Sequence, residues 1–143
     1  MNIKPASMFQ YVKISSEEAM KLLHAAVSET KKYNQPIVVS VSGPEGELIA
    51  FIRMDGANPA SSRIAQNKAY TAAIDRTETI KIGERMRGND NPAFWGDERV
   101  TGFGGGVPVV QNNKVIGGIG VSGLSEAEDI TIAKAAIKEV FGY

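Results

Sequence analysis

The sequence of 143 residues contains no cysteine and a single histidine, His24. The absence of cysteine excludes disulfides, iron–sulfur clusters, thiolate zinc sites and a cysteine nucleophile. A single histidine also excludes a metal site built from several imidazoles. Metal chemistry that depends on several such ligands is therefore not expected, and His24 is the only imidazole available for proton transfer or for binding a metal.

Neither sign of charge is in excess, and no long hydrophobic run is present. Lys plus Arg and Asp plus Glu each number 16, whereas a nucleic-acid partner calls for a clustered positive surface. No run of about 18 apolar residues could form a membrane-spanning helix. The N-terminal sequence also lacks the apolar stretch of a secretory signal. We therefore expect a single cytoplasmic domain over residues 1–143, with neither a nucleic acid nor a membrane as partner.

Helical periodicity and capping sequences predict four helices. Capping boxes at Ser15–Glu18 and Ser125–Glu128 each precede apolar residues at helical spacing. The first helix is expected to end near Tyr33-Asn34. Between these two helices, the sequence predicts an alanine-rich helix from about Ser61 to Asp75 and a short helix over Thr77–Met86.

Four apolar segments predict strands arranged as two hairpins. Ile37–Ser42 and Glu47–Met54 are separated by a turn-rich tetrapeptide, and Val107–Val110 and Lys114–Val121 by Asn112-Asn113. Asparagine tolerates the positive φ values of a tight hairpin turn. Because hairpin strands are antiparallel, an antiparallel sheet covered by helices fits this order best.

Glycine is concentrated in residues 102–123, GFGGGVPVVQNNKVIGGIGVSG. Residues 118–123 spell G-x-G-x-x-G, but no further strand with an acidic residue follows, so a dinucleotide site is not expected. An anion held at the amides near Ser125 is an alternative. Glycines 102–106 are expected to serve backbone geometry or the close approach of a ligand.

Several polar residues allow both a functional and a purely structural interpretation. His24 lies at the edge of the apolar face of the first helix, where it is either a ligand or a partly exposed helix residue. Lys68, Thr71 and Asp75 lie along one side of the alanine-rich helix, a pattern that also describes a solvated face. Arg53 ends a strand and could bind a carboxylate. The loop 87–99 has the length of a functional or mobile segment.

Five sequence blocks together resemble the GlcG/HbpS family, also called the heme-degrading domain. They are AFIRMDGA (50–57), KAYTAA (68–73), GFGGGVPV (102–109), VIGGIGVSG (115–123) and AEDITIAKAA (127–136). The resemblance implies a profilin-like α/β (α+β) fold with a five-stranded antiparallel sheet flanked by helices. It also implies a symmetric homo-oligomer, often an octamer. Some members of the family bind heme, weakly degrade it, or bind corrinoids or iron.

The resemblance implies a heme or related tetrapyrrole ligand, with His24 as axial ligand of the heme iron. Arg53 and Lys68 would then meet the propionates, and Thr71 would line the site or ligate. Members commonly carry Asp where this chain has Gly43, so a carboxylate-dependent metal role there is not expected. A corrinoid ligand, a weak heme-degrading enzyme and an accessory protein of diol or glycerol metabolism are the alternatives.

Overall fold

The computed structural model describes residues 7–143. In this part of the chain, four α-helices and four strands follow the predicted order, with boundaries that differ by a few residues. The elements are α1 (Ser16–Thr30), β1 (Val38–Ser42), β2 (Leu48–Arg53), α2 (Pro59–Ile74), α3 (Thr79–Arg87), β3 (Gly106–Gln111), β4 (Lys114–Ser122) and α4 (Glu126–Phe141). Short 3₁₀ turns follow α1 at Lys31–Tyr33 and occupy Pro92–Trp95 in the predicted loop.

The strands form one antiparallel sheet in the order β2-β1-β4-β3. Both predicted hairpins are present, β1 with β2 and β3 with β4, and β1 pairs with β4 in the middle of the sheet. Asn112 and Asn113 have φ values of 51° and 63°, which fit the tight turn expected between β3 and β4. The prediction of an antiparallel sheet with flanking helices is confirmed.

The expected fifth strand is not found among residues 7–143, where the sheet has four. The segment before α1 does reach β4, because the backbone N–H of Ile14 donates to the carbonyl of Ile116 at 2.9 Å. A strand requires a ladder of such bonds along both backbones. The segment therefore contacts the sheet next to β1 without extending it.

One face of the sheet carries the main hydrophobic core. Alternate residues of the central strands, Val39, Val41 and Ile119, are fully buried there together with apolar residues of α1 and α4. Both capping boxes are formed, since Ser15 Oγ accepts from Glu18 N at 3.0 Å and Ser125 Oγ accepts from Glu128 N at 3.2 Å. These caps fix where α1 and α4 begin. No helix in residues 7–143 has the length and apolar character needed to cross a membrane.

Helix α2 packs on the opposite face of the sheet, directly on glycines of β4. A Cβ added to Gly120 would lie 2.2 Å from the carbonyl oxygen of Ala65. At Gly118 it would lie 2.6 Å from the carbonyl oxygen of Ala69. The G-x-G-x-x-G sequence is therefore largely strand, and its first two glycines allow a helix backbone to approach closely.

The expectation that the 102–106 glycines serve backbone geometry is supported at Gly105. Its φ is 123°, a value that side chains rarely allow, and an added Cβ would lie 2.6 Å from the carbonyl oxygen of Val121. This segment leads into β3 beside the N-terminal part of α4, where Glu126 Oε2 accepts from Gly104 N at 2.6 Å.

Candidate functional site

Lys68 lies on α2 and is buried next to Gly105 and Gly106. Its Nζ donates to Asp129 Oδ2 at 3.1 Å and to the carbonyl of Val121 at 2.8 Å, and both charged side chains are 3% exposed. Burial lowers the pKa of the Lys68 ammonium and raises the pKa of the Asp129 carboxyl, while each charge opposes the shift of the other. The pair links α2, β4 and α4.

This placement differs from the solvated face that was the alternative interpretation of the spacing of Lys68, Thr71 and Asp75, because Lys68 is buried. The ammonium is already bonded to a carboxylate and a carbonyl inside the protein. Helical spacing alone could not reveal this, because the partner, Asp129, is 61 residues away. An external ligand would reach Lys68 only if the buried pair opened.

Thr71 is also buried on α2, one turn from Lys68, and is bonded to the loop before β3. Its Oγ1 accepts from Thr101 N at 3.0 Å and donates to the carbonyl of Arg99 at 3.4 Å. Thr71 therefore holds the loop against α2.

Arg53 and His24 are both exposed, but they lie in different parts of the molecule. Arg53 ends β2, and its Nη2 donates to the carbonyl of Ala57 at 3.2 Å. His24 lies on α1 and lines an open concavity of about 530 Å³ between α1 and α4, together with Lys21, Ala25, Ser28, Glu139 and Val140.

A single chain does not bring the four sequence-predicted residues into one site. His24 belongs to the helix layer formed by α1 and α4, whereas Lys68 and Thr71 belong to α2 on the opposite face of the sheet. Arg53 lies at the outer strand. A ligand that touched both His24 and α2 would require more than one copy of the chain.

The structure shows a further polar cluster that the sequence did not single out, at the side of α2. The Tyr70 hydroxyl donates to Asp97 Oδ2, and the Arg99 guanidinium lies 4.0 Å from the centroid of the Tyr70 ring. Arg99 also donates to both carboxylate oxygens of Asp97, from Nε at 3.1 Å and from Nη2 at 3.2 Å. The guanidinium is therefore held by one bidentate pair and one aromatic face.

The Asp97 carboxylate stays charged in this cluster. Hydrogen bonds from Arg99 and Tyr70 lower the pKa of Asp97 to about 2. Burial and the neighbouring carboxylate raise the pKa of the Tyr70 hydroxyl. A tyrosine that keeps its proton and an aspartate that stays ionised make this a stable donor and acceptor pair at neutral pH.

Tyr70 and Arg99 form part of a second concavity, of about 460 Å³, beside α2. Its other lining residues come from three segments, namely Ser40 and Ser42 of β1, Gly46, Glu47 and Leu48 before and in β2, and Arg63, Gln66 and Asn67 of α2. Sequence reasoning missed it, although two signals were present. Arg63, Asn67 and Tyr70 recur at helical spacing, and Arg99 ends the loop 87–99, whose length is typical of a functional or mobile segment.

The fold and these sites define a small α/β domain with ligand-sized surface concavities. Its described residues, 7–143, contain no group of three or more His, Cys, Asp and Glu side chains placed to hold a metal ion. The chain belongs to the family of haem degrading HbpS-like proteins, whose family model matches residues 14–138.

Relatives support this assignment in sequence and in structure. The chain is 41% identical to protein GlcG of Escherichia coli K12 over 109 residues, which cover 76% of this chain and 81% of GlcG. A double mutant of Streptomyces reticuli HbpS has a TM-score of 0.89 and 28% identity, covering 100% of this chain and 97% of HbpS. The PduOC–heme complex has a TM-score of 0.82 and 32% identity, covering 88% and 94%.

Proposed function

We propose that this protein binds heme, or a related tetrapyrrole, with His24 as the axial ligand of the iron. The observation that carries the proposal is the position of the only imidazole, exposed on α1 in an open concavity rather than packed in the core. The heme complex of the similar PduOC structure supports the choice of ligand.

The residues around His24 fit the chemistry of a heme group. A neutral imidazole supplies a nitrogen lone pair to the iron. The partly exposed Val140 offers apolar surface to the macrocycle, and Lys21 offers an ammonium group to a propionate. The Lys21 side chain is 62% exposed, and its Nζ lies 3.8 Å from Oε1 of Glu17. An exposed ion pair of this kind costs little to break. When bound, heme would supply the visible absorption and redox chemistry of its iron.

We also propose that the protein forms a closed homo-oligomer, because one chain covers only one side of a ligand bound at His24. An exposed apolar surface supports this proposal. Leu48 and Phe51 on the outer strand β2 are 56% and 36% exposed, and exposed apolar residues on an outer strand favour association. The octameric, profilin-like arrangement of the resembling family is the form we propose.

Light scattering at micromolar protein concentration should give a mass at least twice that of one chain, which is 15.3 kDa. Leu48→Glu with Phe51→Glu should shift the mass toward that of one chain, since both charges would be buried at an interface. Replacing Phe94, which is 76% exposed in the loop before β3 and away from both α1 and β2, by Glu serves as the control. A monomeric mass for the unmodified protein would rule out the oligomer.

Hemin titration followed by visible absorption tests the heme proposal. We expect a Soret band that shifts in His24→Ala, with an affinity about tenfold or more lower, equivalent to ~1.4 kcal/mol or more. Lys31→Ala, an exposed change outside the concavity, should leave both spectrum and affinity unchanged. If His24→Ala binds hemin with the parent spectrum and affinity, the ligand assignment fails.

Heme degradation is the second candidate, because the matching family is described as haem degrading. Repeated spectra of the hemin-loaded protein with ascorbate in air separate the two functions. A stable Soret band favours binding alone, whereas a band that decays faster than that of free hemin favours catalysis. A spectral change with aquocobalamin, but not with hemin, would favour the corrinoid alternative.

A further inference from the structure

The concavity beside α2 contains a buried hydroxyl without a partner. Ser40 is 0% exposed, and its Oγ is the one buried side-chain nitrogen or oxygen among the described residues that has no hydrogen bond. Leaving such a group unpaired is costly, and most buried polar atoms are paired. Because Ser40 lines the concavity, a ligand there could supply the missing partner once the side chains that cover Oγ shift on binding.

Positive charge is available at the same concavity. The exposed Arg63 takes part in none of the ion pairs formed by residues 7–143. Arg99 is fixed by Asp97 through Nε and Nη2, so its Nη1 is not used in that pair. Glu47 is the one carboxylate in the lining. Its Oε2 accepts from Lys13 Nζ at 3.0 Å and its Oε1 accepts from Glu45 N at 3.0 Å.

Uncharged groups complete the lining. The amides of Gln66 and Asn67 and the hydroxyl of Ser42 can each donate and accept hydrogen bonds, and Leu48 adds an apolar surface. A guanidinium prefers the two oxygens of a carboxylate, and hydroxyl and amide groups suit a neighbouring hydroxyl on a ligand. The lining is therefore suited to a small, polar organic anion.

We propose that the concavity between α2 and the β1–β2 hairpin binds a small organic carboxylate, with Arg63 and Arg99 facing its charge and Ser40 Oγ donating to it. Arg99 is held in place before the ligand arrives by Asp97 and the Tyr70 ring, which reduces the ordering required on binding. This site is distinct from the His24 concavity, with which it shares no lining residue.

A ¹H–¹⁵N correlation NMR titration of the full chain with lactate tests the proposal. Lactate carries a carboxylate, a hydroxyl and a methyl group, whereas lactamide has a similar shape without the charge. We expect lactate to shift the amide signals of Ser40, Asn67 and Arg99. The affinity for lactamide should be lower than that for lactate by about tenfold or more. Inorganic phosphate should also bind more weakly than lactate, because phosphate has no apolar group that could contact Leu48.

Two variants and two controls identify the residues responsible. Arg63→Gln and Ser40→Ala should each weaken lactate binding by about tenfold, the effect of one hydrogen bond to a charged group. Ser40→Ala should also keep or raise the melting temperature, since it removes an unpaired buried hydroxyl. Lys81→Gln, an equal charge change on α3 away from this lining, should have no effect. His24→Ala should leave lactate affinity unchanged whatever it does to hemin.

Three results would overturn the proposal. Equal affinities for lactate and lactamide would remove the role of the charge. Phosphate binding as tight as lactate binding would remove the assignment to carboxylates. Unchanged lactate affinity in both folded variants would place the ligand elsewhere.

Discussion

Lys68→Ala is expected to destabilise the protein by about 3–5 kcal/mol, because it leaves a buried carboxylate without its counter-charge. Asp129 would keep only the hydrogen bond from Leu124 N, at 3.1 Å. This loss is a large part of the roughly 5–15 kcal/mol that stabilises most domains. Urea unfolding of the variant and the parent at neutral pH measures the difference.

The loss should depend on pH in a defined direction. Burial raises the folded-state pKa of Asp129, and removing Lys68 removes a group that opposes this shift. A carboxyl with a raised folded-state pKa loses its proton more easily in the unfolded chain, so ionisation favours unfolding. The stability that the variant loses relative to the parent therefore grows as pH rises above the unfolded-state pKa of about 3.9. The variant should therefore lie closer to the parent at pH 4 than at pH 7.

Two further variants separate the buried pair from simple loss of volume. Lys13→Ala breaks a pair whose side chains are 45% and 36% exposed, and should cost only about 0.2–1 kcal/mol. Lys68→Met with Asp129→Leu removes both charges, and should be more stable than Lys68→Ala alone. If Lys68→Ala and Lys13→Ala cost the same, the buried pair stabilises the fold no more than an exposed ion pair does.

Local signals in the sequence were sufficient for the order of helices and strands. The capping boxes at Ser15 and Ser125 and the Asn112-Asn113 turn each act within a few residues, so their chemistry is visible in a short window. Local signals also predicted the four strands found in residues 7–143, whereas the fifth strand was expected only from the resemblance. Whether Ile14 joins a ladder depends on the backbone of β4, about a hundred residues later along the chain.

Site residues were harder to predict because their surroundings come from distant parts of the chain. The sequence shows Lys68 on a helix but not Asp129 beside it. Ser40 is one of several serines in the sequence, and only the packing of α2 over β1 leaves its hydroxyl buried without a partner. His24 could be singled out because there is only one histidine, and its exposure on α1 is consistent with the role proposed from the resemblance.

Gly120→Ala is expected to destabilise the protein by about 3 kcal/mol, the upper end of the usual range for overpacking a core. The added methyl group would lie 2.2 Å from the carbonyl oxygen of Ala65 and 2.5 Å from the backbone nitrogen of Ala69. Both atoms belong to the backbone of α2, so no side-chain rotation relieves the clash. The helix must move away from β4, and Lys68 on the same helix must move with it.

A glycine whose added methyl group meets only a side chain provides the control. At Gly43 a Cβ would lie 2.4 Å from Cδ of Glu47. That partly exposed side chain can rotate by giving up its surface contacts with Lys13 and Glu45 N, so Gly43→Ala should cost no more than about 1 kcal/mol. Thermal unfolding of both variants compares the two cases. Equal melting temperatures would mean that α2 does not rest on β4 through this glycine. If Gly120→Ala alone is destabilised and its α2 amides exchange faster with solvent, the close contact between helix and strand is what holds Lys68 against Asp129.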